Sequence, residues 1–112
     1  MEKPFTIEEL ENVAGDTIFQ RGKEYYKQGA VSEIFIKNGK YTANVYGTQK
    51  YEVAFNLDKQ SISCNCPYDG GFCKHEVAFG IKLLEEWDYL QIDFNDFQET
   101  FQFIDNEIKL NF

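Results

Sequence analysis

At 112 residues the chain has room for one domain with a hydrophobic core and too little for two comfortable ones. Aromatic residues make up 17% of it, with eleven Phe and seven Tyr, which excludes disorder over most of the length. No run approaches the roughly 20 apolar residues a membrane-spanning helix needs, and Met1-Glu2-Lys3-Pro4 lacks the apolar stretch of a secretory signal, so a soluble cytoplasmic protein is expected. Three cysteines cannot close a complete disulfide framework.

The net charge of −8 argues against a polyanionic partner until it is divided along the chain. Residues 1–19 carry five acids and one Lys, net −4; residues 20–84 carry nine Lys or Arg and six acids, net +3; residues 85–112 carry eight acids and one Lys, net −7. The middle is mildly basic between two acidic flanks.

Residues 6–13 predict a short helix, with Thr6 as N-cap and Glu9 completing a capping box. Gly15-Asp16 interrupts it, and Asp16 or Thr17 is expected to cap a second helix of about 12 residues that Gly29 stops. Ile18, Phe19, Tyr25 and Tyr26 form its apolar side, with Arg21, Lys23 and Lys27 facing outward. From residue 31 the period changes to alternation. Asn38-Gly39 predicts a hairpin between 34–36 and 41–45, Gly47-Thr48 a second reversal into 51–57, and Asp58-Lys59-Gln60 a third into 61–64. The result is an antiparallel meander of about four strands. Residues 75–87 predict a helix with Val77, Ala78, Ile81, Leu83 and Leu84 toward the core. Leu90, Phe94, Phe97, Phe101 and Ile104 predict an acidic amphipathic helix over 93–108. The expected class is therefore α+β, with a main domain over 1–90 and an acidic helical extension over 91–112.

All three cysteines and the single histidine fall between positions 64 and 75: Cys64-Asn-Cys66, six residues, then Cys73-Lys-His75. Three thiolates and an imidazole suit tetrahedral zinc, and four protein ligands make the closed, structural form of such a site. Cysteines two apart on a strand end point to one side. Cys73 and His75 cannot both lie deep in a helix, because residues two apart diverge by about 200°. Cys73 must precede the first turn and His75 must stand at its start, where the helix dipole favours a thiolate. Pro67 ends the strand and Gly70-Gly71 permits the tight return, while Lys74 is placed to offset part of the charge of the thiolates. The alternatives are chance clustering of unligated side chains, a redox Cys64/Cys66 pair that leaves Cys73 and His75 idle, and iron–sulfur ligation, for which one His among three Cys is unusual. With its single His committed to metal, the chain holds no histidine for general-base or triad chemistry. It also lacks the H-x-E and P-C-x-x-C of a zinc deaminase, so no enzymatic activity and no small-molecule substrate are expected.

C-x-C, a short loop, then C-x-H resembles the signature of the SWIM zinc finger. The stretch from Phe19-Gln-Arg-Gly-Lys-Glu-Tyr-Tyr-Lys-Gln-Gly29 to His75 is similar to the bacterial version, found near the N-terminus of Swi/Snf-type helicase-like ATPases. The likeness covers roughly residues 15–85. It implies Cys64, Cys66, Cys73 and His75 as zinc ligands, and an accessory domain belonging to a longer Swi/Snf-type protein, with a free-standing small protein as the alternative. DNA binding and protein binding are both proposed for such domains. Arg21, Lys23, Lys27 and Lys74 are the candidate nucleic-acid contacts, and Tyr25, Tyr26, Tyr41 and Tyr46 would stack on bases if exposed. A protein-docking module, including docking onto the rest of its own polypeptide, is the second expectation, carried by the Phe-rich acidic segment.

Overall fold

The computed structural model describes residues 2–68 and 70–91. Within them the fold is α+β: α1 (Ile7–Ala14), α2 (Asp16–Lys27), β1 (Phe35–Lys37), β2 (Lys40–Tyr46), β3 (Lys50–Asn56), β4 (Ser61–Cys64) and α3 (Lys74–Glu85), followed by a further helical stretch over 87–91. The acidic helix expected over 93–108 lies outside the described residues. No described helix is long and apolar enough to cross a membrane.

Helix α1 begins as its capping box requires. The Thr6 hydroxyl accepts from the Glu9 amide at 3.1 Å, and the Glu9 carboxylate accepts from the Thr6 amide at 3.0 Å. Helix α2 departs from expectation at its start. Gly15, at φ 83°, occupies the cap position without a side-chain hydrogen bond, and Asp16 is already the first helical residue. One glycine closes α1 and opens α2, which leaves no turn for Asp16 or Thr17 to cap from outside the helix.

The strands form one antiparallel sheet in the order β1-β2-β3-β4. Asn38 and Gly39 both take positive φ, 53° and 75°, the paired left-handed geometry that suits a two-residue hairpin. Register places Tyr41 opposite Phe55, Phe55 opposite Ile62, Ala43 opposite Val53, and Val53 opposite Cys64. Ala43, Val45, Val53 and Phe55 are almost wholly buried, so this row is the covered face of the sheet, and Cys64 stands at its end.

Helix α3 runs between that face and the pair α1 and α2. Contact on both sides explains why six consecutive residues, His75 to Gly80, are buried, where an amphipathic surface helix would bury one stripe. Trp87 is fully buried, its ring 5.2 Å from Tyr41 and 6.4 Å from Phe55, and its indole N–H donates to the Glu2 carbonyl at 3.0 Å. This one bond ties the start of the chain to the far end of the helical layer, 85 positions on.

Gly22 is buried where α2 crosses α3. A methyl group there would collide with the Cβ and Cγ1 of Val77 and stand 3.0 Å from the Lys74 carbonyl oxygen. The missing side chain lets the two backbones approach beside the first turn of α3, the turn that carries His75.

Candidate metal centre

The four residues singled out in the sequence converge. Their ligand atoms, three Sγ and one imidazole nitrogen, lie within 4.8 Å of one another, close enough to hold a metal ion. The Cys64 and Cys73 sulfurs are 3.9 and 3.8 Å from Nδ1 of His75. Metal–sulfur and metal–nitrogen bonds of tetrahedral zinc place sulfur and nitrogen about 3.6 Å apart, so the cluster is compatible with zinc. None of the three cysteines is in a disulfide.

Two elements deliver these atoms. Cys64 ends β4 on the covered face. Beyond it Asn65 prolongs the pairing with β3: its amide donates to the Glu52 carbonyl at 3.2 Å, and its side-chain oxygen accepts from the Glu52 amide at 2.9 Å. That double bond anchors the residue between the first two cysteines while the chain turns at Cys66-Pro67. The return uses Gly71, at φ 105°. Gly70 has a packing role as well. It makes room for Tyr68, whose hydroxyl would lie 2.5 Å from a Cβ at that position.

Cys73 is the N-cap of α3 and His75 its second residue, as the spacing requires. The cap is completed by Glu76, whose carboxylate accepts from the Cys73 amide at 2.9 Å while the Cys73 sulfur receives the Glu76 backbone. Glu76 is only 8% exposed, so a carboxylate has been brought inside to fix the backbone of a metal-ligand candidate. The C-x-x-E spacing carries the capping-box signal for this residue, although Cys stands where Ser or Thr is usual. Glu76→Ala is expected to remove about 1 kcal/mol through the lost cap, with a further loss of metal affinity, measured by melting and by competition with a chelator.

Electrostatics prepare the donors differently. Burial first, then the Lys74 charge, hold the His75 pKa below its ordinary value, so the imidazole stays in the neutral form a metal requires. The hydrogen bond shared with Cys64, then burial, push the Cys73 thiol up. A divalent cation opposes that shift with its own charge and releases the proton on binding.

Tyr51 lies against the His75 ring at 4.5 Å between centroids and 32° between planes, and Tyr25 meets it edge-on at 5.6 Å and 71°. The Lys74 ammonium sits 5.1 Å over the Tyr25 ring.

The other predicted residues separate. Arg21 and Lys74 share a cleft of about 410 Å³ with Ile18, Tyr51, Tyr68 and the ligand candidates Cys66, Cys73 and His75. The Lys23 ammonium is instead 5.8 Å from the Phe19 ring, and Lys27 is exposed in the last turn of α2. Tyr41 is 4% exposed and packs on Phe55 and Trp87, so it cannot stack on a base, which corrects that expectation. Tyr25 and Tyr26 are half-buried against the core, and Tyr46 is exposed. The residues that sequence reasoning missed are Tyr51, Gly47 and Glu76 around the cluster and Gly22 behind it. A glycine in mid-helix costs about 1 kcal/mol relative to Ala, and that penalty is the signal that marks Gly22.

The chain matches no protein-family model, no curated protein and no solved structure.

Proposed function

We propose that the chain is a non-catalytic zinc-binding module of SWIM type, serving as an accessory nucleic-acid-binding domain of a Swi/Snf-type protein. The observation that carries it is the convergence of Cys64, Cys66, Cys73 and His75 within 4.8 Å at the junction of β4 and α3. Four protein donors leave no open coordination position for a substrate, and the chain's single histidine belongs to the cluster, which favours a structural ion over a catalytic one. Cobalt substitution tests the ion and its geometry together. One equivalent of Co(II) should give the intense visible absorption of a tetrahedral thiolate site, and zinc should displace it. A weak octahedral spectrum, or no saturation at one equivalent, contradicts the reading.

Support for the nucleic-acid role is the pairing of Arg21 with Lys74 at the cleft, while Glu85 lies eleven residues further along α3, about 17 Å by helical rise and beyond the Debye length at physiological salt. Two cations at the cleft with exposed Lys27 supply few phosphate contacts. Binding of the isolated chain to duplex DNA is therefore expected to be weak or absent near physiological salt, as read by fluorescence anisotropy. Sub-micromolar affinity that falls steeply with salt would contradict that expectation of weakness and greatly strengthen the nucleic-acid reading. Protein docking is the second reading. The short edge strand β1 favours it, exposing Phe35 at 42% and Ile36 at 40%.

A further inference from the structure

The Arg21-Gly22-Lys-Glu-Tyr25-Tyr26 segment of α2 and the β2–β3 turn are distant in sequence from the cysteines, and the ligand set alone gives them no task. Both meet at His75. Its Nδ1 faces the sulfurs of Cys64 and Cys73, so Nε2 points the other way. There it meets Gly47: a Cβ on Gly47 would stand 3.4 Å from Nε2 and 3.2 Å from the Tyr25 hydroxyl. The Tyr51 ring lies along one face of the imidazole and Tyr25 touches it edge-on. Gly22 and Tyr25 are three residues apart on α2 and so share a face, one against Lys74 and Val77, the other against His75. His75 retains only 6% exposure.

We infer that Tyr25 and Tyr51, closed by the bare backbone of Gly47, form a clamp that presents Nδ1 of His75 to the metal and keeps the ion from leaving. The inference rests on the zinc reading above. An imidazole can bind a metal through either nitrogen, and the choice is set by what surrounds the other one. A half-turn of the ring about Cβ–Cγ would carry Nδ1 away from the sulfurs and leave Cδ2, which has no lone pair to give a metal, in its place. The ring's tilt is limited by the two aromatic rings, Tyr51 along its face and Tyr25 edge-on. The clamp residues are positioning residues, because their rings touch the ligand and not the ion. On this account the conspicuous Gly-x-x-Tyr of α2 is a buttress of the metal site: Gly22 sets the distance between the helices, and Tyr25 uses that closeness to hold the imidazole. This use takes Tyr25 out of the set of side chains free to stack on a base.

Long-range proton–nitrogen NMR of the zinc-loaded chain reads the tautomer directly. The expected pattern is a metal-bound Nδ1 and a protonated Nε2. A metal-bound Nε2 overturns the clamp while leaving the zinc reading intact, whereas a chain that takes up no zinc overturns both. Zinc transfer to a chromophoric chelator reads the trapping. Tyr51→Ala and Tyr25→Ala should release zinc faster, by roughly 10–100-fold, the range found for residues that orient metal ligands. Tyr51→Phe and Tyr25→Phe, which keep the rings, should stay close to the unsubstituted protein. Leu83→Ala, in the core away from the cluster, controls for general loosening. If it speeds release as much as Tyr51→Ala does, or if the Phe variants release as fast as the Ala variants, the clamp is wrong. Should either Ala variant fail to fold, Gly47→Ala, which crowds Nε2 from the third side, takes its place and should also release zinc faster; an unchanged rate counts against the clamp.

Discussion

Removing the metal, or replacing Cys66 with Ser, is expected to unfold at least residues 60–80 and to abolish the cooperative thermal transition of the zinc-loaded chain. Structural zinc contributes on the order of 10 kcal/mol or more of apparent binding free energy in small fingers, which is comparable with the whole stability of a domain this size. The fold gives a reason for the large effect. Among the described residues between Asn65 and Cys73 no regular ladder holds the chain, and none of the three cysteines is in a disulfide. The cluster itself joins β4 to the first turn of α3, and α3 is the element against which both the sheet and the other helices pack. Loss of the ion therefore leaves the buried His75 and Cys73 and the half-buried Cys64 and Cys66 without their partner, at the point where the central helix begins. Circular dichroism melts with and without chelator, and of Cys66→Ser, measure it. A melting profile unchanged by either treatment means that the cluster is not structural.

Gly22→Ala is expected to cost about 2–3 kcal/mol, near the upper end of what added volume costs in a packed interior. The colliding atoms explain why the site cannot absorb the methyl group. Val77 is β-branched and fully buried, its Cβ is fixed to the backbone of α3, and the third neighbour is a backbone carbonyl. The helices must separate, and the separation falls beside His75. The melting temperature should drop by about 10 °C or more for a domain of this size, although Ala is intrinsically the better helix former. An increase in stability would mean that the helices do not cross at Gly22. Because the crossing braces the first turn of α3, the same substitution should also weaken zinc retention, which a chelator assay measures on the same sample.

Local signals were legible in the sequence wherever one segment decides its own structure. The capping box at Thr6 and Glu9, the Asn38-Gly39 turn and the alternation of β3 each specify a backbone without reference to the rest of the chain. The Cys/His cluster was legible for a related reason, since its four members lie within twelve positions and their spacing constrains the backbone between them. What the sequence hid depends on packing between distant elements. Periodicity marks Tyr25 and Tyr51 as apolar positions, but nothing in either segment says that both rings meet His75. The burial of six successive residues of α3, His75 to Gly80, follows from the sheet and two helices closing on it together, and the hydrophobic pattern of α3 alone suggested a single covered stripe. Trp87 joins the N-terminal backbone to the end of the helical layer through a bond that no local rule anticipates.

Native mass spectrometry of the purified chain, with alkylation of its cysteines in parallel, tests the central claim most directly. The expected result is one zinc ion per folded chain and three cysteines protected from alkylation until the metal is withdrawn. A folded chain that carries no metal and whose cysteines alkylate freely would contradict it.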